Sequence, residues 1–175
     1  MRVSKIYLGG GCFWCIEAVF SRTIGVVSAI SGYMGGARAN PTYEQICTGV
    51  TGHAEVVEVV FDDEQIDLEE ILEIFWAIHD PTSLNQQGAD KGTQYRSAIF
   101  YTSLEQLEII EKSIEDISSF YDKPIVTEVK SAPPFYKAEE YHQDYYSNNP
   151  NQGYCYAVVR PKVEKFMKNF KSLVR

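Results

Sequence analysis

No uninterrupted apolar run in this 175-residue chain approaches the ~18 residues that a membrane-spanning helix needs, so a soluble protein without membrane association is expected. Positive charge is scarce as well: Lys and Arg number 16 against 24 Asp and Glu. The formal net charge of -8 disfavours capture of phosphate backbones or anionic lipid, which removes nucleic acid from the expected partners. Cysteine is also sparse. Cys12, Cys15, Cys47 and Cys155 are too few to staple a chain of this length into a disulfide scaffold. A secretion leader is not expected either: Arg2 and Lys5 precede the apolar residues 6–8, but Glu17 interrupts the apolar stretch and no small-residue cleavage site follows. The cytoplasm is therefore the expected compartment. There the thiols would rest reduced, which invites a redox or nucleophilic reading.

No internal repeat or low-complexity linker divides the chain, and 45% hydrophobic content suffices for one core, so one domain over residues 1–175 is expected. Residues 4–8 read as a short strand, Gly9, Gly10 and Gly11 as a tight turn, and residues 12–20 as a helix. A β-branched strand follows over 26–33, then a surface loop rich in Gly, Asn and Pro over 34–43. Residues 54–61 alternate as a strand with Glu55, Val57, Val59 and Phe61 on one face, so Glu55 shares the more apolar side. Asp67 and Glu70 form a helix-capping pair ahead of apolar residues at helical spacing, and Asp80-Pro81 stops that helix. A polar stretch over 84–94 precedes a strand at 97–101, a long amphipathic helix marked by Leu104, Leu107, Ile110, Ile114 and Ile117, and a strand at 125–129. A helix over 137–146, an Asn/Gly loop to 153 and a Lys-rich closing segment from 161 complete the chain. Interleaved strands and helices predict an α+β fold. The expected architecture is a two-layer α/β sandwich with a mixed sheet, a ferredoxin-like core and a long irregular C-terminal segment.

A thiol is a useful nucleophile only as thiolate, and placement at a helix N-terminus lowers its pKa. The run Gly9-Gly10-Gly11-Cys12 fits such a placement, with glycines that turn the backbone sharply and leave little bulk near the sulfur. The plain alternative is a small hydrophobe at a helix start, because free cysteines are commonly buried. Phe13 and Trp14 would set two aromatic faces beside the thiol, suited to a methyl or thioether group, or simply to core packing.

Gly11-Cys12-Phe13-Trp14, followed by Glu17-Ala18 and Phe20, resembles the signature of the methionine sulfoxide reductase A family. The resemblance continues in order through Gly32-Tyr33, Asn40-Pro41-Thr42-Tyr43, Cys47, Thr51-Gly52-His53-Ala54-Glu55 and Gly92-Thr93-Gln94-Tyr95-Arg96-Ser97. It reaches Tyr141-His142-Gln143 and Gly153-Tyr154-Cys155, and so covers nearly the whole chain. What it implies is an enzyme that reduces the S epimer of methionine sulfoxide, free or in proteins, with thioredoxin restoring the thiols. One reductase type serves each epimer. The implied enzyme is a monomer that needs neither cofactor nor metal. By the same resemblance Cys12 is the nucleophile, Glu55 the acid, Tyr43 and Tyr95 donors to the sulfoxide oxygen, and Asp90 a polar support. Phe13 and Trp14 would hold the methyl group.

The chemistry of these residue types agrees. Sulfoxide oxygen leaves poorly until protonated, and a carboxyl such as Glu55 on an apolar strand face is pushed toward its protonated form by desolvation. Attack by Cys12 would leave a sulfenic acid, which a second thiol converts to a disulfide. The resemblance assigns that step to Cys155, expected in a mobile Asn/Gly loop, while Cys12-x-x-Cys15 offers a local rival. Cys47 reads as packing, and His53, His79 and His142 as structural. The competing readings are a thioredoxin-like oxidoreductase, a papain-like hydrolase pairing Cys12 with His142, a zinc module, and a peptide-binding groove without catalysis.

Overall fold

The computed structural model describes residues 2–175. Its strands are β1 (Val3–Gly9), β2 (Val26–Met34), β3 (Ala54–Asp62), the two-residue pair β4 (Gln86–Gln87) and β5 (Asp90–Lys91), β6 (Ala98–Tyr101), β7 (Glu128–Ser131) and β8 (Tyr136–Lys137). Six of them form one sheet in the order β7-β6-β1-β3-β2-β8, and β4 and β5 make a separate ribbon. Every neighbouring pair in the large sheet is antiparallel except β6 and β7, so the sheet is mixed.

Period-two alternation decides which side each strand residue serves. Ile6, Leu8, Val57, Val59 and Ile99 enter the main core, while Tyr7, Val56, Ala98 and Phe100 enter a smaller one on the opposite face, covered by Ala132 and Phe135. The main core is roofed by helices. Among these, α1 (Phe13–Phe20) crosses from β1 to β2, and α2 (Tyr43–Cys47) is a short turn of helix before β3. The helix α3 (Leu68–Ala77) then leads toward β6, α4 (Leu104–Ser118) lies between β6 and β7, and α5 (Tyr145–Asn148) and α6 (Arg160–Asn169) close the chain. Seven residues of α1 are buried, Glu17 among them, because the helix is covered by the sheet on one side and by α5 and α6 on the other. The expected cap of α3 is present, with Asp67 accepting from the Glu70 N–H and the Glu70 side chain returning to Asp67. Among the described residues no helix is long and apolar enough to cross a membrane.

Three expectations need correction, all in the last third of the chain. The strand expected at 125–129 lies at Glu128–Ser131, since the Val126 N–H is drawn out of the sheet to the Pro81 carbonyl. The helix expected at 137–146 does not form. In its place stand β8, a 3₁₀ turn at Glu140–His142, Asp144 in a left-handed conformation at φ 51° and the single turn α5. Long-range hydrogen bonds between the Gln143 side chain and Ser31, with a further one to the Ala138 carbonyl, outbid the local helical pattern there. The irregular C-terminal segment ends at about residue 152: residues 153–169 run as one helix with a π-type turn at Cys155–Val159. Pro161 accounts for the widened turn, having no N–H to offer the carbonyl four residues before it.

The sheet delivers the chain from β1 into α1 through three glycines. Gly11 needs to be glycine for its backbone, at φ 83°, and its N–H donates to the Tyr95 carbonyl at 3.0 Å. Gly10 needs it for space, because a Cβ there would stand 2.7 Å from Cδ2 of His79. That ring is buried and fixed, with Nδ1–H on the Phe75 carbonyl at 2.6 Å and Nε2 accepting from the Ser97 hydroxyl at 2.8 Å. Burial lowers its pKa to about 4, so it is neutral at pH 7. Gly10→Ala should therefore cost ~1–3 kcal/mol, the usual range for overpacking, measured as a lower denaturant midpoint at unchanged slope. An unchanged midpoint would mean that His79 moves aside freely.

Candidate active site

Cys12 occupies the N-cap of α1, with extended backbone at φ -68° and ψ 132° and no side-chain cap in the usual sense. The first free N–H groups of the helix find other partners. Phe13 N–H donates to Glu55 Oε1 at 3.1 Å, and the Trp14 N–H stands near enough to the Cys12 sulfur to favour its thiolate. The Cys15 N–H closes the first turn on the Cys12 carbonyl at 3.1 Å. Glu55 reaches this point because β3 turns it to the same face as Val57 and Val59, toward α1.

The helix terminus does not lower the Cys12 thiol, contrary to the expectation from its position. Cys12 is 9% exposed, and burial pushes the thiol well above its usual pKa, with Glu55, Cys15 and Asp90 adding to the effect. The Trp14 N–H pulls the other way and loses. Glu55 is 1% exposed, and burial raises its carboxyl to about 8, with nearby Asp90 adding and the Phe13 N–H opposing. At neutral pH the site thus rests with a protonated thiol beside a protonated carboxyl.

Two phenols flank the pair. Tyr43 begins α2, held by the Thr42–Gln45 capping box and by its own N–H on Glu139 Oε2 at 2.9 Å. Tyr95 ends the 3₁₀ turn Thr93–Tyr95, whose carbonyl receives Gly11. Both phenols are raised above their usual range by burial first and by the Glu55 carboxyl second, which places them around it. Cys47 lies close enough to the Tyr43 hydroxyl for each to affect the other's ionisation, and it is not core packing but an exposed thiol at the edge of the site. Asp90, on β5, accepts a short hydrogen bond from the Tyr154 hydroxyl at 2.5 Å and acts electrostatically on Cys12, Glu55 and Tyr95.

Aromatic rings close the other side. Trp14 lies flat on Tyr145, with centroids 3.8 Å apart and planes 5° from parallel, and its Nε1–H donates to His142 Nδ1 at 3.0 Å. Phe13 and Tyr43 stand 5.1 Å and 4.5 Å from the same imidazole. The sequence singled out Phe13, Trp14 and Tyr43, and the structure gathers them. It also adds His142, Tyr145 and Tyr154, which sequence reasoning left without a role. In a chain with 12 tyrosines only proximity distinguishes them, and the density of Tyr and His over 141–146 was the one local signal.

The cysteines are all free. Cys155 is not on a mobile loop: it is 0% exposed in the π-type turn packed beneath α1, and its N–H donates to Gln152 Oε1 at 3.0 Å. Cys15 is 1% exposed and is the common neighbour, acting electrostatically on Cys12 and itself affected by Cys155. Among the described residues no group of three His, Cys, Asp or Glu side chains is placed to share a metal ion.

This arrangement can protonate and attack a small polar atom held against an aromatic wall, and comparison with known proteins leads to the same chemistry. A family model described as peptide methionine sulfoxide reductase matches residues 4–173. The peptide methionine sulfoxide reductase MsrA of Polynucleobacter asymbioticus is 54% identical over 174 residues, covering 98% of this chain and 92% of that one. The reduced form of Mxr1 from Saccharomyces cerevisiae is similar with a TM-score of 0.84 at 36% identity, over 88% of this chain and 90% of that one. Mxr1 in complex with Trx2 is similar with a TM-score of 0.60 at 27% identity, over 82% and 85% of the two chains. The chain belongs to the peptide methionine sulfoxide reductase family.

Proposed function

We propose that this chain reduces methionine sulfoxide, free or in proteins, to methionine, and that it acts on the S epimer. The observation that carries the reading is the pairing of Cys12 with a buried, protonated Glu55 at the start of α1, opposite an aromatic wall. A sulfoxide sulfur bears an oxygen, a methyl group, the rest of the side chain and a lone pair. With the oxygen toward Glu55, Tyr43 and Tyr95 and the methyl on Phe13 and Trp14, only one epimer sends its main chain outward, in keeping with one reductase type per epimer.

In the first step Glu55 gives its proton to the sulfoxide oxygen while the Cys12 sulfur attacks. Oε1 already accepts the Phe13 N–H, so Oε2 is the oxygen free to carry that proton. Tyr43 donates its phenol proton in a hydrogen bond to the sulfoxide oxygen, and Tyr95 adds a second neutral donor. Oxygen passes to Cys12 as sulfenic acid, methionine leaves, and the thiol proton restores Glu55, so atoms and charge balance. Cys155 then displaces hydroxide from the sulfenic acid, giving a disulfide and water, and a dithiol of the thioredoxin type returns both thiols. The neighbouring structure of Mxr1 with Trx2 supports that last partner. The reading takes residues 1–175 as one working domain, a cytoplasmic monomer without bound cofactor. Its core is read as ferredoxin-like from the antiparallel order β6-β1-β3-β2 with α1 and α3 as crossovers.

Cys12→Ser should abolish reduction of a methyl sulfoxide, since a hydroxyl gives up its proton far less readily than a thiol and is not soft enough to attack sulfur. Persistent turnover in a dithiothreitol assay would remove the reading. Glu55→Gln should slow the single-turnover rate by ~10²–10⁴, the range of general acid catalysis. The wild-type rate should hold below pH about 8 and decline as Glu55 loses its proton above it, and this alkaline limb should vanish in the Gln variant. Cys155→Ser should release about one methionine per enzyme and then stall with thioredoxin, because no disulfide remains for that partner to attack. Peptide mapping after one equivalent of sulfoxide that joins Cys12 mainly to Cys15 would reassign the second thiol.

A further inference from the structure

Half of the aromatic wall stands on a stretch whose backbone hydrogen bonds are only local, from the Gln143 N–H to the Glu140 carbonyl and from the Asn148 N–H to the Asp144 carbonyl. Between the 3₁₀ turn ending at His142 and α5, side chains tie the chain to the rest of the fold. His142 Nδ1 accepts from Trp14 Nε1–H, and Gln143 bonds both the N–H and the carbonyl of Ser31, at 3.0 Å and 2.9 Å. The Asp144 N–H donates to Glu17 Oε1 at 2.8 Å. Asp144 also sits at φ 51°, a left-handed conformation that a non-glycine residue adopts at a cost and keeps only where its surroundings impose it. The next residue is Tyr145, the ring that lies flat on Trp14.

Glu17 is 3% exposed on α1, three residues beyond Trp14 and hence on the same helical face. Nothing in the reaction described above uses it. A buried carboxyl on a helix is costly unless it is bonded, and Glu17 Oε1 accepts this backbone N–H. One turn of α1 therefore grips both ends of the Asp144–Tyr145 step, the indole holding the ring and the carboxyl holding the turn before it.

We propose that Glu17 is a positioning residue: its carboxyl keeps Asp144 in the left-handed turn that lays Tyr145 on Trp14, and so fixes the surface against which the substrate's methyl group rests. Burial raises the carboxyl to about 8 against the pull of the Asp144 N–H and of Arg22, with the Asp144 side chain adding, so that near neutral pH Glu17 holds the turn without carrying a charge into the core. The role of the wall rests on the sulfoxide reductase reading above. The grip on Asp144 does not.

The test compares Glu17→Leu, which fills the space but leaves the Asp144 N–H unpaired, with Glu17→Gln, whose amide oxygen accepts the same bond. KM for a methyl sulfoxide should rise about tenfold in the Leu variant, the scale of one buried hydrogen bond left unmade, while the single-turnover rate at saturation stays within about threefold. Gln should restore KM to within about twofold. Amide exchange over residues 144–148 should quicken in Leu and not in Gln, and this readout needs no turnover, so it stands apart from any failure of wild-type protein to reduce sulfoxide. Should Leu not fold, Glu17→Asp, one methylene too short for the contact, is expected to shift KM and exchange in the same direction. Unchanged KM and exchange in a folded Leu or Asp variant would overturn the proposal, as would Gln behaving like Leu, or a loss confined to the single-turnover rate.

Discussion

The hydrogen bond from the Phe13 N–H to Glu55 joins the first turn of the first helix to the central strand at a buried point, and the rest of the site is arranged around it. A helix N-terminus favours negative charge by ~0.3–1 kcal/mol at a surface and by about 2 in partly buried geometries. Raising a carboxyl from 4.5 to about 8 corresponds to about 5 kcal/mol against its charged form. Desolvation therefore outweighs the helix at this position, and the bond is made to a neutral acid. The same competition, with the same winner, leaves Cys12 a thiol. A helix that would activate a nucleophile at a surface here holds two protons in place, and a proton-consuming reduction needs at least one of them.

Neutrality also explains the company these groups keep. Phenols, an uncharged imidazole hydrogen-bonded to an indole, and stacked rings could not surround an ion pair without large desolvation costs. Around two neutral acids they cost little and exclude water, which strengthens each hydrogen bond that the incoming oxygen would accept. Asp90 is tied to the hydroxyl of Tyr154, at some distance from the centre in sequence and on its own ribbon.

Local signals were enough for the elements whose neighbours in space are also neighbours in sequence. The strand, the three glycines and the helix that follow one another over 3–20 were readable, as were the capping pair of Asp67 with Glu70 and the long helix from Leu104. Glu55 was legible too, since alternation along its strand put it with Val57 and Val59. The stretch 137–146 was not. Its conformation is set by Ser31, Trp14 and Glu17, more than a hundred positions away, and no pattern within the segment records them. The pKa of Cys12 was misread for the same reason. Its helix is local, but the walls that desolvate it come from the whole length of the chain.

Cys155 has no surface open to solvent, held in a turn that Pro161 widens and Gln152 pins. A sulfur so enclosed is out of reach of peroxide as well as of any protein partner, and it can meet Cys12 only after that turn lets go. Under the proposed role of Cys155 as second thiol, the burial that shields this sulfur also makes its exchange with Cys12 wait on a local opening of that helix end.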